Sequence, residues 1–138
     1  MRIHVTTAEG GAAWSLSLAR FAEELAAYRP DALISVDADK RNQQVRFELT
    51  LRDDGADGHD GADDLLHRAE GIYFIGDWQQ LVCWDGSIDG WAPVIVWFLG
   101  LLPPGAEANI FLEAVAVPRR LARSATAADV ARMLRTVR

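Results

Sequence analysis

Hydrophobic positions in this chain change period several times, and each change marks an element. Ile3 and Val5 alternate with Arg2, His4 and Thr6, which predicts a short first strand with one inward face. Glu9-Gly10-Gly11 ends it. From Ala12 to Tyr28 the step becomes three or four residues: Trp14, Leu18, Phe21, Ala22 and Leu25 form one apolar stripe, with Arg20, Glu23 and Glu24 outside it. This is the pattern of an amphipathic helix, closed by Pro30.

Two strands are expected next. Ala32, Ile34 and Val36 share a face of the first, while Val45, Phe47, Leu49 and Leu51 alternate strictly with Arg46, Glu48, Thr50 and Arg52 in the second. The polar link 37–42 between them suits an antiparallel hairpin. Residues 53–64 then break the pattern: small residues and crowded aspartates oppose packing and predict a mobile acidic loop. A short helix over Asp63–Ala69 follows, then strands over Ile72–Ile75 and Gln79–Trp84 separated by a turn or bulge at Gly76-Asp77-Trp78.

Asp85-Gly86-Ser87 and Asp89-Gly90 are turn signals. Beyond them the β-branched Val94, Ile95 and Val96 suit a strand, but Pro93 leading a short apolar run suits the first turn of a buried helix to Leu101. Helix is the reading adopted, stopped by Pro103-Pro104-Gly105. Ile110–Val117 carries only Glu113 and reads as a strand covered on both faces. Thr126 with Asp129 resembles a capping box and opens a last helix, whose stripe is Val130, Met133, Leu134 and Val137. Arg132, Arg135 and Arg138 complement its dipole.

This order predicts a single α+β domain over 1–138, with a five- or six-stranded, mainly antiparallel sheet and helices packed on one face. Its β-α-β-β opening is that of a ferredoxin-like fold, but the tryptophan-rich stretch and the late strand do not complete that order. At 138 residues the chain can build one substantial core and not two. Half of the residues are hydrophobic and a quarter charged, so a globular chain is expected rather than a disordered one.

Charge narrows the partners. Residues 1–117 carry 8 basic against 19 acidic side chains, a net of -11, whereas 118–138 carry 6 against 1, a net of +5. The acidic body repels a phosphate backbone, so no nucleic-acid partner is expected. The longest apolar run, Trp91–Leu102, is too short to span a bilayer, and no membrane partner is expected. The N-terminus lacks a secretory pattern, and Cys83, lone and flanked by Val82 and Trp84, predicts a buried thiol. Both suit a cytoplasmic protein.

Catalytic and metal motifs are weak. Counting Asp53 as the first position of a calcium loop puts Gly55 at the third, Asp60 at the eighth and Asp64 at the last, none of which fits. His4, His59 and His67 lack zinc-pair spacing, and neither metal nor cofactor is expected. No nucleophile elbow, dinucleotide fingerprint or phosphate loop occurs. A hydrolytic constellation could be assembled from His67, Glu70, Asp77 and Asp85 around Trp78 and Trp84, but spacing alone does not supply convergence.

Gly71–Leu102 remains, with Trp78, Trp84, Trp91 and Trp97 interleaved with aspartates. Trp84 and Trp97 read as packed, like Trp14 on the first helix, whereas Trp78 and Trp91 stand beside turn aspartates, where amphipathic rings serve contacts. The expectation is a non-enzymatic protein-binding module of inhibitor or immunity type. Its partner face comprises Asp77, Trp78, Asp85, Asp89 and Trp91, and it meets a basic protein. Rival readings are a small-ligand site or acid/base hydrolase, and a homo-oligomer, such as a homodimer, pairing Trp91–Leu102 or a sheet edge.

Overall fold

The structure, a computed structural model, describes residues 2–7, 14–39, 42–52, 66–75, 79–113 and 118–135. The loop 53–64, with the calcium reading placed on it, and the Gly76-Asp77-Trp78 link lie outside them.

Among the described residues seven strands form one antiparallel sheet in the order β2-β3-β4-β5-β1-β6-β7. They are β1 Arg2–Thr7, β2 Leu33–Asp39, β3 Asn42–Arg52, β4 Leu66–Ile75, β5 Gln79–Trp84, β6 Ala108–Leu112 and β7 Arg119–Leu121. Among the described residues three helices, α1 Leu18–Tyr28, α2 Ile88–Leu101 and α3 Ala127–Arg135, join the sheet in an α+β domain. Directly paired residues of an antiparallel sheet share a face. By that register Ile3, Val5, Val45, Phe47, Leu49, Tyr73, Leu81, Cys83 and Ile110 lie on one side, and all are core. Phe21, Leu25, Ile95, Phe98, Val130 and Leu134 of the helices join the same core, so the helices cover that face.

Local chemistry explains where the elements start. Ser17 caps α1 by accepting from the Arg20 amide at 3.1 Å, so the helix begins six residues later than the apolar stripe implied. Trp14 therefore precedes the helix. Its ring is buried edge-on against Phe98, with Nε1 donating to the Glu107 carbonyl at 3.1 Å. Ser87 caps α2 through the Gly90 amide, which puts Asp89 in the first turn and Pro93 in the second. The turn signals before Pro93 were thus a helix N-terminus, where a carboxylate is favourable. The capping box of α3 forms as expected: the Thr126 amide donates to Asp129 Oδ2 and the Asp129 amide to Thr126 Oγ1. These bonds and nearby Arg132 hold the Asp129 carboxyl below its usual value.

Two expectations are corrected. No helix spans 66–69, which belong to β4, a strand long enough to pair with β3 from Arg52 back to Gln43. Ala69, Gly71 and Tyr73 point into the core at the two-residue period that the preceding aspartates disguised. Ile110–Val117 is not a doubly covered strand: β6 ends at Leu112, with Asn109 and Phe111 on the other face and half-buried. The three-residue β7 was not foreseen.

Gly71 has a specific packing reason. It stands directly across from Phe47, and a Cβ at 71 would overlap the Phe47 ring. The ring covers the bare glycine backbone instead.

Candidate functional site

The second face of the sheet is the place to look, because none of the described helices covers it. Register arranges its side chains in rows crossing the strands. One row runs Leu33, Glu48, Glu70, Trp84, Arg2; the next runs Ser35, Arg46, Ile72, Val82, His4, Phe111. Apolar Ile72, Val82 and Phe111 thus occupy the middle of this face, with charged groups around them.

Between the two rows, near β2, lies a groove of about 430 Å³ walled by Leu33, Ser35, Arg46, Glu48, Glu70 and Trp84. Its floor is backbone at Phe47 and Gly71, whose side-chain face is turned to the core. Glu48 and Glu70 are paired directly across β3 and β4, so two like charges stand at neighbouring positions. Each has one partner. Trp84 Nε1 donates to Glu70 Oε2 at 2.9 Å, and Arg68 donates to Glu48 Oε2 at 3.2 Å. The Arg2 guanidinium lies 5.8 Å from the centre of the Trp84 ring. Arg46 also lines the groove.

Further along the same face, His4 stacks on Phe111 with ring centres 4.8 Å apart and bonds Gln80 Oε1 through Nδ1 at 2.6 Å. Its Nε2 lies 3.7 Å from Glu113, which is too long for a hydrogen bond, and is otherwise enclosed.

The tryptophans exchange the roles expected of them. Trp91 is 0% exposed and packs against Phe47, so it cannot anchor a partner. It sits inside because α2 starts at Ile88 and nearly all its sides are covered. Trp84, expected to be packed, is half-buried on the open face, because Leu81 and Cys83 take the inward positions of β5. Trp97 stacks on Tyr28 at the margin of the core. Asp89 is engaged by Arg135 of α3 rather than offered to solvent chemistry. Asp85 is exposed with φ at 63°, a turn residue in left-handed backbone. Asp77 and Trp78 lie outside the described residues. Of the described members of the expected partner face, Trp91 is enclosed and so does not share an exposed surface with Asp85.

His67 and Glu70 leave β4 on opposite faces, so these two members of the hydrolytic constellation do not converge. Among the described residues no three His, Cys, Asp or Glu side chains cluster as a metal site would require, and no helix is long and apolar enough to cross a membrane. Cys83 is fully buried, and burial pushes its thiol pKa well up. A second concavity, beside Arg119, Arg120 and Arg132, is larger but lacks an aromatic wall, and Arg120 and Arg132 already pair with Glu107 and Asp129.

Sequence reasoning missed Glu48, Glu70 and Trp84 as one group. Strand alternation was legible for β3, but their adjacency depends on pairing β3 with β4 and β4 with β5. No family model matches the chain, and neither does any curated protein or solved structure.

Proposed function

We propose that the chain is a cytoplasmic binding protein for a basic protein partner, which docks on the open sheet face and places a lysine or arginine side chain in the groove beside Trp84. One observation carries this: Glu48 and Glu70 stand at directly paired positions next to an indole ring. A cation between them relieves their repulsion and gains the attraction of the ring's negative face. Half-buried Ile72 and Phe111 extend the contact area, and the acidic body speeds encounter with a basic surface. An inhibitor covering a basic toxin or nuclease is one form such a protein takes.

A second reading has its own support. A groove of about 430 Å³ lies within the range of small-molecule sites, and Trp84 lines it with three charged side chains. That reading makes the occupant a small cationic ligand.

An arginine-rich peptide and free arginine, titrated in parallel and followed by calorimetry, test both. Saturable binding of the peptide, weakened at least tenfold by Glu70→Gln and by Trp84→Ala, is the expected result. Equal affinity for free arginine moves the conclusion to the small ligand. No binding of either, or binding indifferent to both substitutions, removes the groove from consideration.

A further inference from the structure

We infer that the basic partner docks by laying an extended segment antiparallel along the outer edge of β2, with an arginine or lysine opposite Leu33 and an apolar residue opposite Val36. Among the described residues, the large hydrophobics left exposed are Leu33 at 58% and Val36 at 50%. They point to opposite faces of one edge strand, since Leu33 pairs with Glu48 of the open face and Val36 with Val45 of the core face. A chain running beside the strand covers both, and the edge offers it a row of backbone groups to bond. The two edges of the sheet also differ. β7 is three residues long, follows Pro118 and carries Arg119 and Arg120, which oppose both pairing and a basic segment. β2 has seven residues and contains no proline, lysine or arginine.

Register assigns the basic position. Leu33 begins the row that continues through Glu48 and Glu70 to Trp84, and Leu33 and Ser35 wall the groove on its β2 side. A residue added opposite Leu33 extends that row by one place and shares its face. Strands lie about 4.8 Å apart, so Glu48 stands roughly 10 Å from the added residue, a gap that a long side chain spans and a short one does not. The methylenes of that side chain lie on Leu33 while its charged head reaches the glutamates, which covers the leucine without burying the charge. Glu48 is 41% exposed at its side chain, and a carboxylate that accepts from Arg68 keeps further acceptor positions. Three residues along and on the other face, the position opposite Val36 takes an apolar side chain. Antiparallel pairing, which each described strand pair uses, puts that apolar residue three positions before the basic one in the partner. Backbone hydrogen bonds and the covered apolar groups hold the segment, and the carboxylates select a basic one.

This mode of docking rests on the basic-partner reading, so the test separates the two. The probe is a fluorescein-labelled peptide, Thr-Thr-Val-Thr-Thr-Arg-Thr, titrated with the intact protein and followed by anisotropy. Saturable binding is expected, weakened at least tenfold by Glu48→Gln and by Val36→Lys, with circular dichroism spectra unchanged. Moving the arginine one place toward the valine sends it to the other face and should also cost at least tenfold. Backbone N-methylation decides without any protein variant. Alternate amides of an added strand point toward β2 and away from it, so of two peptides methylated at alternating residues one should lose at least twentyfold and the other bind within about threefold of the parent. Binding that tolerates both methylation patterns, or a shifted arginine that binds as well as the parent, overturns strand addition; if Glu48→Gln still weakens it, the groove keeps its basic partner. A parent peptide that does not bind also overturns strand addition, and a longer arginine-rich peptide then judges the basic-partner reading alone. Self-association of the protein without peptide, abolished by Val36→Lys, would give the edge to a second copy and overturn it as well.

Discussion

Replacing Gly71 with alanine tests whether the sheet beneath the groove is built as described. Two effects of opposite sign compete. Alanine restricts the unfolded chain more than glycine does, which alone stabilises by about 0.5–1 kcal/mol. Against this, the new methyl overlaps the Phe47 ring, which cannot move freely: it is buried, 5.6 Å from Phe21 and 6.3 Å from Trp91 between ring centres. Forced overpacking of this kind costs about 1–3 kcal/mol. The overlap wins, and a net loss of about 1–2 kcal/mol is expected. At a typical unfolding entropy per residue, that lowers Tm by roughly 3–7 °C for a chain of this length. Urea denaturation of Gly71→Ala, Phe47→Leu and the double variant provides the measurement. With a smaller side chain at 47 the methyl fits, so the double variant should be at least about 1 kcal/mol more stable than additivity of the singles allows. Additive losses, or a Gly71→Ala protein as stable as wild type, would falsify the ring-over-glycine account.

Three further outcomes follow from buried polar groups. Tyr73 donates to the Leu16 carbonyl at 2.7 Å, and burial pushes its pKa up to about 12, so the folded state holds this proton more tightly than the unfolded chain, where the value is 10.0. Its contribution to stability is full below pH 10 and is lost as pH rises toward 12. Thermal melts across that window should fall more steeply for wild type than for Tyr73→Phe, and parallel profiles would refute this. Cys83 should stay unmodified by a thiol reagent in the folded protein and react fully in denaturant; rapid labelling of native protein would contradict its burial. Trp91 Nε1 is enclosed without a partner, and an unmet buried donor costs about 1–3 kcal/mol. Trp91→Phe removes that donor along with some packing, so the losses offset and stability should change by less than about 2 kcal/mol. A larger loss on denaturant titration would mean the indole N–H is satisfied after all.

What could be read from the chain was local. The alternation in β3, the Ser/Thr-to-Asp spacing at α3 and the stripe of α1 each depend on neighbours within a few residues, and all three elements formed. Errors arose where one residue type serves two ends. Asp89 marks a helix start as readily as a turn, and the preference for a turn exposed Trp91 on paper while the fold buries it. The groove was illegible for a different reason. Glu48, Glu70 and Trp84 span thirty-six sequence positions, and only the pairing of three strands sets them side by side. Each alone is an ordinary strand residue.

The basic end of the chain is largely spent at home. α3 packs against α2 through Val130 and Leu134, Arg135 holds Asp89, Arg120 holds Glu107, and Arg123 donates to the Leu102 carbonyl at 2.9 Å, at the C-terminal end of α2. The last helix itself adds a net of only +1, from Arg132 and Arg135 against Asp129, so what it chiefly supplies is a lid over α2. Deleting it would strip an apolar side of α2 and release Asp89 from Arg135 in one step, so the fold should fail.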